Sequence, residues 1–311
     1  MTTTVLVLGG TTEGRELAAA LDGRPGLQVV TSLAGRVQEP LPLAGPVRSG
    51  GFGGVDGLVA WLRAHHPALL VDATHPYATR ITGAAAQAAA RAQVPALRLA
   101  RPGWTPQVGD RWHRVPDAAA AAAVLPALGS RPLLTTGHGG LPAFLAADGC
   151  ARLPVLLRCV EPVAEPLPAP WRVLLARGPF TVEGERELLH RERIDVLVTR
   201  DSGGSAAKLD AAREAGTPVV VLDRPRVASG DRALPQVPTV AAALAWIDGR
   251  GVSCAPPRRS DGCDPGPGPA AQAPPGDRQR DRSLSRGGNA PMFRTIMHPV
   301  RHFHGRAPGA R

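Results

Sequence analysis

Six short segments carry residue types that could do chemistry, and each follows an apolar run. The first reads Gly9-Gly10-Thr11-Thr12-Glu13-Gly14. Glycines after a strand let the backbone turn tightly and approach a phosphate. The N-terminus of the following helix then offers free N–H groups and the positive end of a dipole. Thr11 and Thr12 add hydroxyl donors. A complete GxGxxG is missing, so on spacing alone a tight turn with a threonine N-cap competes with dinucleotide binding. The second segment is Thr31-Ser32-Leu33-Ala34-Gly35-Arg36. In dinucleotide folds an acidic residue here favours NAD, whereas an arginine accommodates the 2′-phosphate of NADP. Residues 28–38 contain no Asp or Glu and do contain Arg36, which favours NADPH. The plainer alternative is a solvated loop arginine in an Arg-rich chain.

The third segment, Asp72-Ala73-Thr74-His75-Pro76-Tyr77-Ala78, puts polar groups where α/β sheets bind ligands, at the carboxyl end of a parallel strand. His75 precedes a proline and so avoids the α region, and Tyr77 is the only tyrosine of the chain. Three more segments are alike: Thr135-Thr136-Gly137-His138-Gly139-Gly140, Arg177-Gly178-Pro179-Phe180, and Thr199-Arg200-Asp201-Ser202-Gly203-Gly204. The last leads toward Lys208, the only lysine. A glycine turn with a lysine one turn into the next helix suits an anion, although GxxxxGK[ST] is absent. No Ser-His-Asp order, nucleophile elbow or HExxH is present.

Such segments need a frame, and the periodicity supplies one. Strands are expected over residues 5–8, 28–33, 69–73, 96–99, 132–135, 155–158, 173–176, 196–199 and 219–222. Helices are expected over 13–21, 55–64, 78–92, 118–128, 141–147, 181–191, 205–215 and 240–248. Short apolar runs without polar alternation indicate strands covered on both faces, as in a parallel sheet. Strands alternating with helices give βαβ units. The pattern restarts after about residue 100, so we expect an α/β protein of two Rossmann-like domains with mostly parallel sheets and a cleft between them. The first domain is assigned to residues 1–125 and the second to 126–250.

The chain has 311 residues, and 35 of its 36 Lys+Arg are arginine. The net charge of +10 is uneven: residues 251–311 hold 10 Arg and 4 Asp, leaving +4 for residues 1–250. The tail also has 10 Pro and 9 Gly, so it is expected to be disordered and not to bury a core. A mildly basic body argues against nucleic acid as a partner. Cys150, Cys159, Cys254 and Cys263 show no metal spacing, so no metal site is expected. No basic leader or long apolar stretch is present, which predicts a cytoplasmic protein without a membrane partner.

Taken together, LGGTTEGRELA at 8–18, SLAGR at 32–36, DATHPYA at 72–78, TTG at 135–137, ARGPF at 176–180, TRDSGG at 199–204 and RP at 224–225 resemble the precorrin-6A reductase family of cobalamin biosynthesis, including its cobalt-precorrin-6A branch. The resemblance covers roughly residues 1–250. It implies NADPH-dependent reduction of one C=C bond of a corrin-ring precursor, with cofactor and macrocycle between two Rossmann-like domains. On that reading Gly9, Gly10, Thr11, Thr12, Glu13, Gly14, Ala34, Gly35, Arg36 and Thr74 hold NADPH. Pro76, Thr136, Gly137, Arg177, Gly178, Pro179, Phe180, Asp201, Ser202, Gly203, Gly204 and Lys208 face the tetrapyrrole. Neighbouring cobalamin-pathway enzymes are candidate partners. The proton could come from Tyr77, His75 or water. Hydride transfer itself needs alignment more than a protein nucleophile, which fits the missing triad. Two alternatives stay open: an NADP-dependent reductase of another substrate, and a non-enzymatic nucleotide- or anion-binding module.

Overall fold

The structure is a computed structural model that describes residues 2–35, 42–226 and 233–251. The expected disordered tail lies, from residue 252 on, outside the described residues, as does Arg36. Two six-stranded sheets are formed, and every pairing in both is parallel. The first has the order β12-β5-β4-β1-β2-β3, from β1 (Thr3–Leu8), β2 (Leu27–Leu33), β3 (Val47–Ser49), β4 (Leu69–Asp72), β5 (Ala96–Leu99) and β12 (Gln236–Val237). The second has the order β6-β11-β10-β7-β8-β9, from β6 (Trp112–Val115), β7 (Pro132–Leu134), β8 (Leu156–Cys159), β9 (Arg172–Leu175), β10 (Val196–Arg200) and β11 (Val219–Leu222).

Helices cover both faces of each sheet. The first is flanked by α1 (Thr12–Asp22), α2 (Gly54–His65), α3 (Thr79–Ala92) and α9 (Val240–Asp248); the second by α4 (Ala118–Leu128), α5 (Leu141–Ala146), α6 (Asp148–Ala151), α7 (Val182–Arg191) and α8 (Ala207–Glu214). The all-apolar central strands follow from this, since a strand covered twice has no solvated face to mark with polar residues. The strands that escape sequence reading, β3, β6 and β12, are all sheet edges, where one side is open and the apolar run is lost.

The expected division at 125/126 does not coincide with the sheets. β6 and α4 belong with the second sheet, so the chain crosses over between β5 and β6. The segment β12–α9 returns to the first sheet: β12 pairs with β5, and Ala243 and Ile247 of α9 bury in the core that α1 also fills. The physical reason is that β5 would otherwise leave an unpaired parallel edge and an uncovered apolar face.

Candidate active site

The turn after β1 is built for a close approach. Gly9 donates its N–H to Ser32 O at 2.9 Å, and a Cβ there would stand 2.9 Å from Thr31 Cγ2. Gly10 has φ +121, with nothing within 4 Å of the position a Cβ would take. Gly14 lets α1 pack on β4's exit, its Cβ position lying 3.2 Å from Ala73 Cβ. Among the described residues, the N–H groups of Gly10, Thr11 and Thr12 find no partner. An open turn feeding free N–H groups at an 11-residue helix fits a pyrophosphate.

The side chains of this turn are committed elsewhere. Thr11 caps α1 by accepting from Gly14 N at 3.0 Å, and its hydroxyl donates to Ala73 O at 2.8 Å, so it is not the expected free donor. Thr12 accepts from Arg15. Arg101 Nη1 lies 2.9 Å from both carboxylate oxygens of Glu13. Burial opposes ionisation of Glu13, yet the Arg101 guanidinium holds its carboxyl below the usual range. Thr74 spends its hydroxyl and N–H on Asp72 Oδ1, at 2.6 and 3.0 Å. Asp72 is fully buried and pairs with Arg98, which also donates to Thr82. Gly35, φ +71, ends the β2 exit beside Ala34 and adjoins Gly50. Arg48 reaches Ser32, Gly50 and Gly51 at the same edge.

Tyr77 joins the two halves. Its hydroxyl donates to Leu222 O and accepts from Asp201 N–H at 2.9 Å. A residue beyond the carboxyl end of β4 thus bonds to the carboxyl ends of β10 and β11, so these edges of the two sheets face one another. Burial pushes the phenol up to about 12, which leaves it a poor acid. His75 accepts Tyr77 N–H on Nδ1 at 3.3 Å. Burial first, then the charges of Arg200, Arg101, Arg224 and Lys208, push its imidazole down to about 3, so it is neutral and carries its proton on Nε2.

The Asp201–Gly204 turn, expected to face substrate, also seats the crossover. Arg101 Nε donates to Ser202 O at 2.7 Å, Trp104 N to Asp201 Oδ1 at 2.9 Å, and Trp104 Nε1 to Gly204 O at 3.1 Å. Arg224 donates to Asp201 O and Arg101 O, both at 2.8 Å. Gly203 is required on two grounds: its φ is +68, and a Cβ would come 2.1 Å from Pro102 O. Around the edge of the second sheet, Thr136 is buried beside Gly137, whose φ is +58. Pro76 is buried, and Arg177, Gly178 and Pro179 are exposed, with Arg177 3.6 Å from Glu161. Phe180 lies under the Arg158 guanidinium, 4.2 Å from its ring centre, and Arg158 pairs with buried Glu185 at 2.8 Å. Lys208 Nζ sits 4.7 Å over the Trp104 ring.

Arg101 and Arg158 were not singled out from sequence, and Arg200 and Arg224 stood there only inside the TRDSGG and RP motifs, with no role of their own. For Arg158 and Arg200 a signal existed, because an arginine closing an otherwise apolar run of a doubly covered strand must be held by something.

The family model described as "Precorrin-6x reductase CbiJ/CobK" matches residues 4–248. This chain belongs to that family. The precorrin-6A reductase of Rhodococcus erythropolis is 49% identical over 247 residues, covering 79% of this chain and 97% of that one. The cobalt-precorrin-6A reductase of Salmonella typhimurium is 30% identical over 256 residues, covering 74% and 91%. A solved structure, "CobK precorrin-6A reductase", superimposes with a TM-score of 0.74 at 43% identity, covering 80% of this chain and 98% of that one. The matched region takes in every segment described above, including the returning α9. The tail beyond residue 248 is outside it.

Proposed function

We propose that this chain reduces one C=C bond of metal-free precorrin-6A with NADPH. The observation that carries the reading is the Tyr77 bridge, which opposes an open glycine turn on one sheet edge to arginines and Lys208 on the other. Bound NADPH supplies the hydride. Gly9–Gly14 would take its pyrophosphate and Arg36 its 2′-phosphate, while Arg177, Phe180 and Lys208 face a macrocycle ringed by carboxylates, which cations orient. The metal-free substrate is favoured because the relatives named for it, from 41% to 49% identical, stand well above the cobalt-named ones at 27–30%. A cytoplasmic location and contact with neighbouring pathway enzymes belong to the same reading.

The test is oxidation of NADPH by the purified protein, with metal-free and cobalt-loaded precorrin-6A compared side by side. Faster turnover of the metal-free substrate is expected. For the cofactor, Arg36→Ala should raise the NADPH KM by roughly 10- to 100-fold and leave NADH nearly unchanged, as loss of an Arg–phosphate contact requires. Equal loss with both cofactors overturns the assignment.

A further inference from the structure

Reduction of a C=C bond needs a proton as well as a hydride, and the junction holds few groups that can release one. Guanidinium groups cannot, since they stay protonated throughout the working pH range. Tyr77 directs its proton at Leu222 O and accepts from Asp201 N–H, so its hydroxyl is already used on both sides. His75 is hemmed in by four cations and is a neutral imidazole. Lys208 differs from both. Among the described residues its ammonium has no carboxylate or other hydrogen-bond acceptor and rests only on the face of Trp104. It belongs to the first turn of α8, directly after the glycine turn that closes β10.

The charged neighbours that act most strongly on Lys208 among the described residues lie at this edge: Arg158 of β8, Glu185 of α7, Arg101 of the crossover and Arg200 of β10; Lys208 in turn acts on His75, beyond β4. Burial, with the three arginines, lowers the ammonium to about 8, against a smaller opposing pull from Glu185, whose Oε2 is buried and unpartnered among the described residues. An acid in that range can both hold its proton at neutral pH and give it up in a transition state.

We propose that Lys208 is the proton donor of the reduction. This rests on the reductase reading above. The hydride forms a C–H bond at one alkene carbon, and the π electrons shift to its neighbour. That neighbour takes the proton from Nζ, leaving Lys208 a neutral amine and the nicotinamide oxidised. Water reprotonates the amine before the next turnover.

Lys208→Arg separates donation from charge, because a guanidinium still binds carboxylates but does not release a proton. At saturating NADPH and substrate, the rate of NADPH oxidation should fall on the order of 100- to 10,000-fold in Lys208→Arg. The Kd for precorrin-6A should stay within a few fold. In the unsubstituted protein the rate should decline on the alkaline side as one group titrates near pH 8. Should Lys208→Arg not fold, Lys208→Met supplemented with a small primary amine should recover part of the rate. A Lys208→Arg protein with the original rate, or an unsubstituted protein whose rate stays level through the lysine range, overturns the proposal in favour of water. Absence of turnover in the unsubstituted protein overturns the reductase reading itself, so the two failures are distinct.

Discussion

Replacing Tyr77 by Phe distinguishes a clamp from a catalytic acid. The ring stays, so its packing on the core of the second sheet is kept, and only the hydroxyl is lost. That hydroxyl bonds Leu222 O and Asp201 N–H, but these two backbone groups also bond each other at 2.9 Å. Neither is therefore orphaned by the substitution, and the cost is that of about one net hydrogen bond, ~1 kcal/mol, rather than that of two unsatisfied buried groups. For a folded body of this size, 1 kcal/mol lowers Tm by about 2–4 °C. A clamp thus predicts a small fall in Tm by calorimetry and a kcat within about tenfold of the original. A general acid predicts the reverse, a loss on the order of 100-fold or more in kcat with little change in Tm. The second pattern at saturating substrate would refute the reasoning from hydrogen bonds and restore Tyr77 as the donor.

Arg101→Met should destabilise the protein by about 1–3 kcal/mol at neutral pH, since it removes charge-assisted bonds to Glu13 and Ser202 O that tie the two sheets together. The Glu13 carboxyl is held below its ordinary value, so its contribution is present above that value and lost as pH falls through the lowered one. Urea denaturation at several pH values should accordingly find the gap between the two proteins closing in acid; a gap that does not narrow contradicts the assignment. Asp72→Asn strands buried Arg98 without its counter-charge and should cost about 3–5 kcal/mol, read as a large drop in denaturation midpoint. An unchanged midpoint would mean that water reaches the pair. Removing residues 251–311 should leave kcat and Tm unaltered, because a tail so rich in Pro, Gly and Arg has little apolar surface to pack; a fall in either would show that it does.

The sequence by itself determined the two parallel α/β units, the glycine turn after β1 and the polar strand ends. The reason is local: a doubly covered strand must be apolar along its whole length, and a close backbone approach must be glycine. It did not reveal that β12 and α9 return to the first sheet, since a two-residue edge strand carries no period and its pairing with β5 is a long-range choice. Nor did it show what each polar group touches. Thr11, Glu13 and Thr74 have the types that cofactor binding calls for, yet the tertiary structure spends them on a cap, on Arg101 and on Asp72. Tyr77 and the Ser202–Gly204 turn were legible as special, but their joining of the two sheets was not. Residue type limits which bonds a side chain can make, and only the fold brings Leu222 O and Asp201 N–H to the Tyr77 hydroxyl, 145 and 124 positions along the chain.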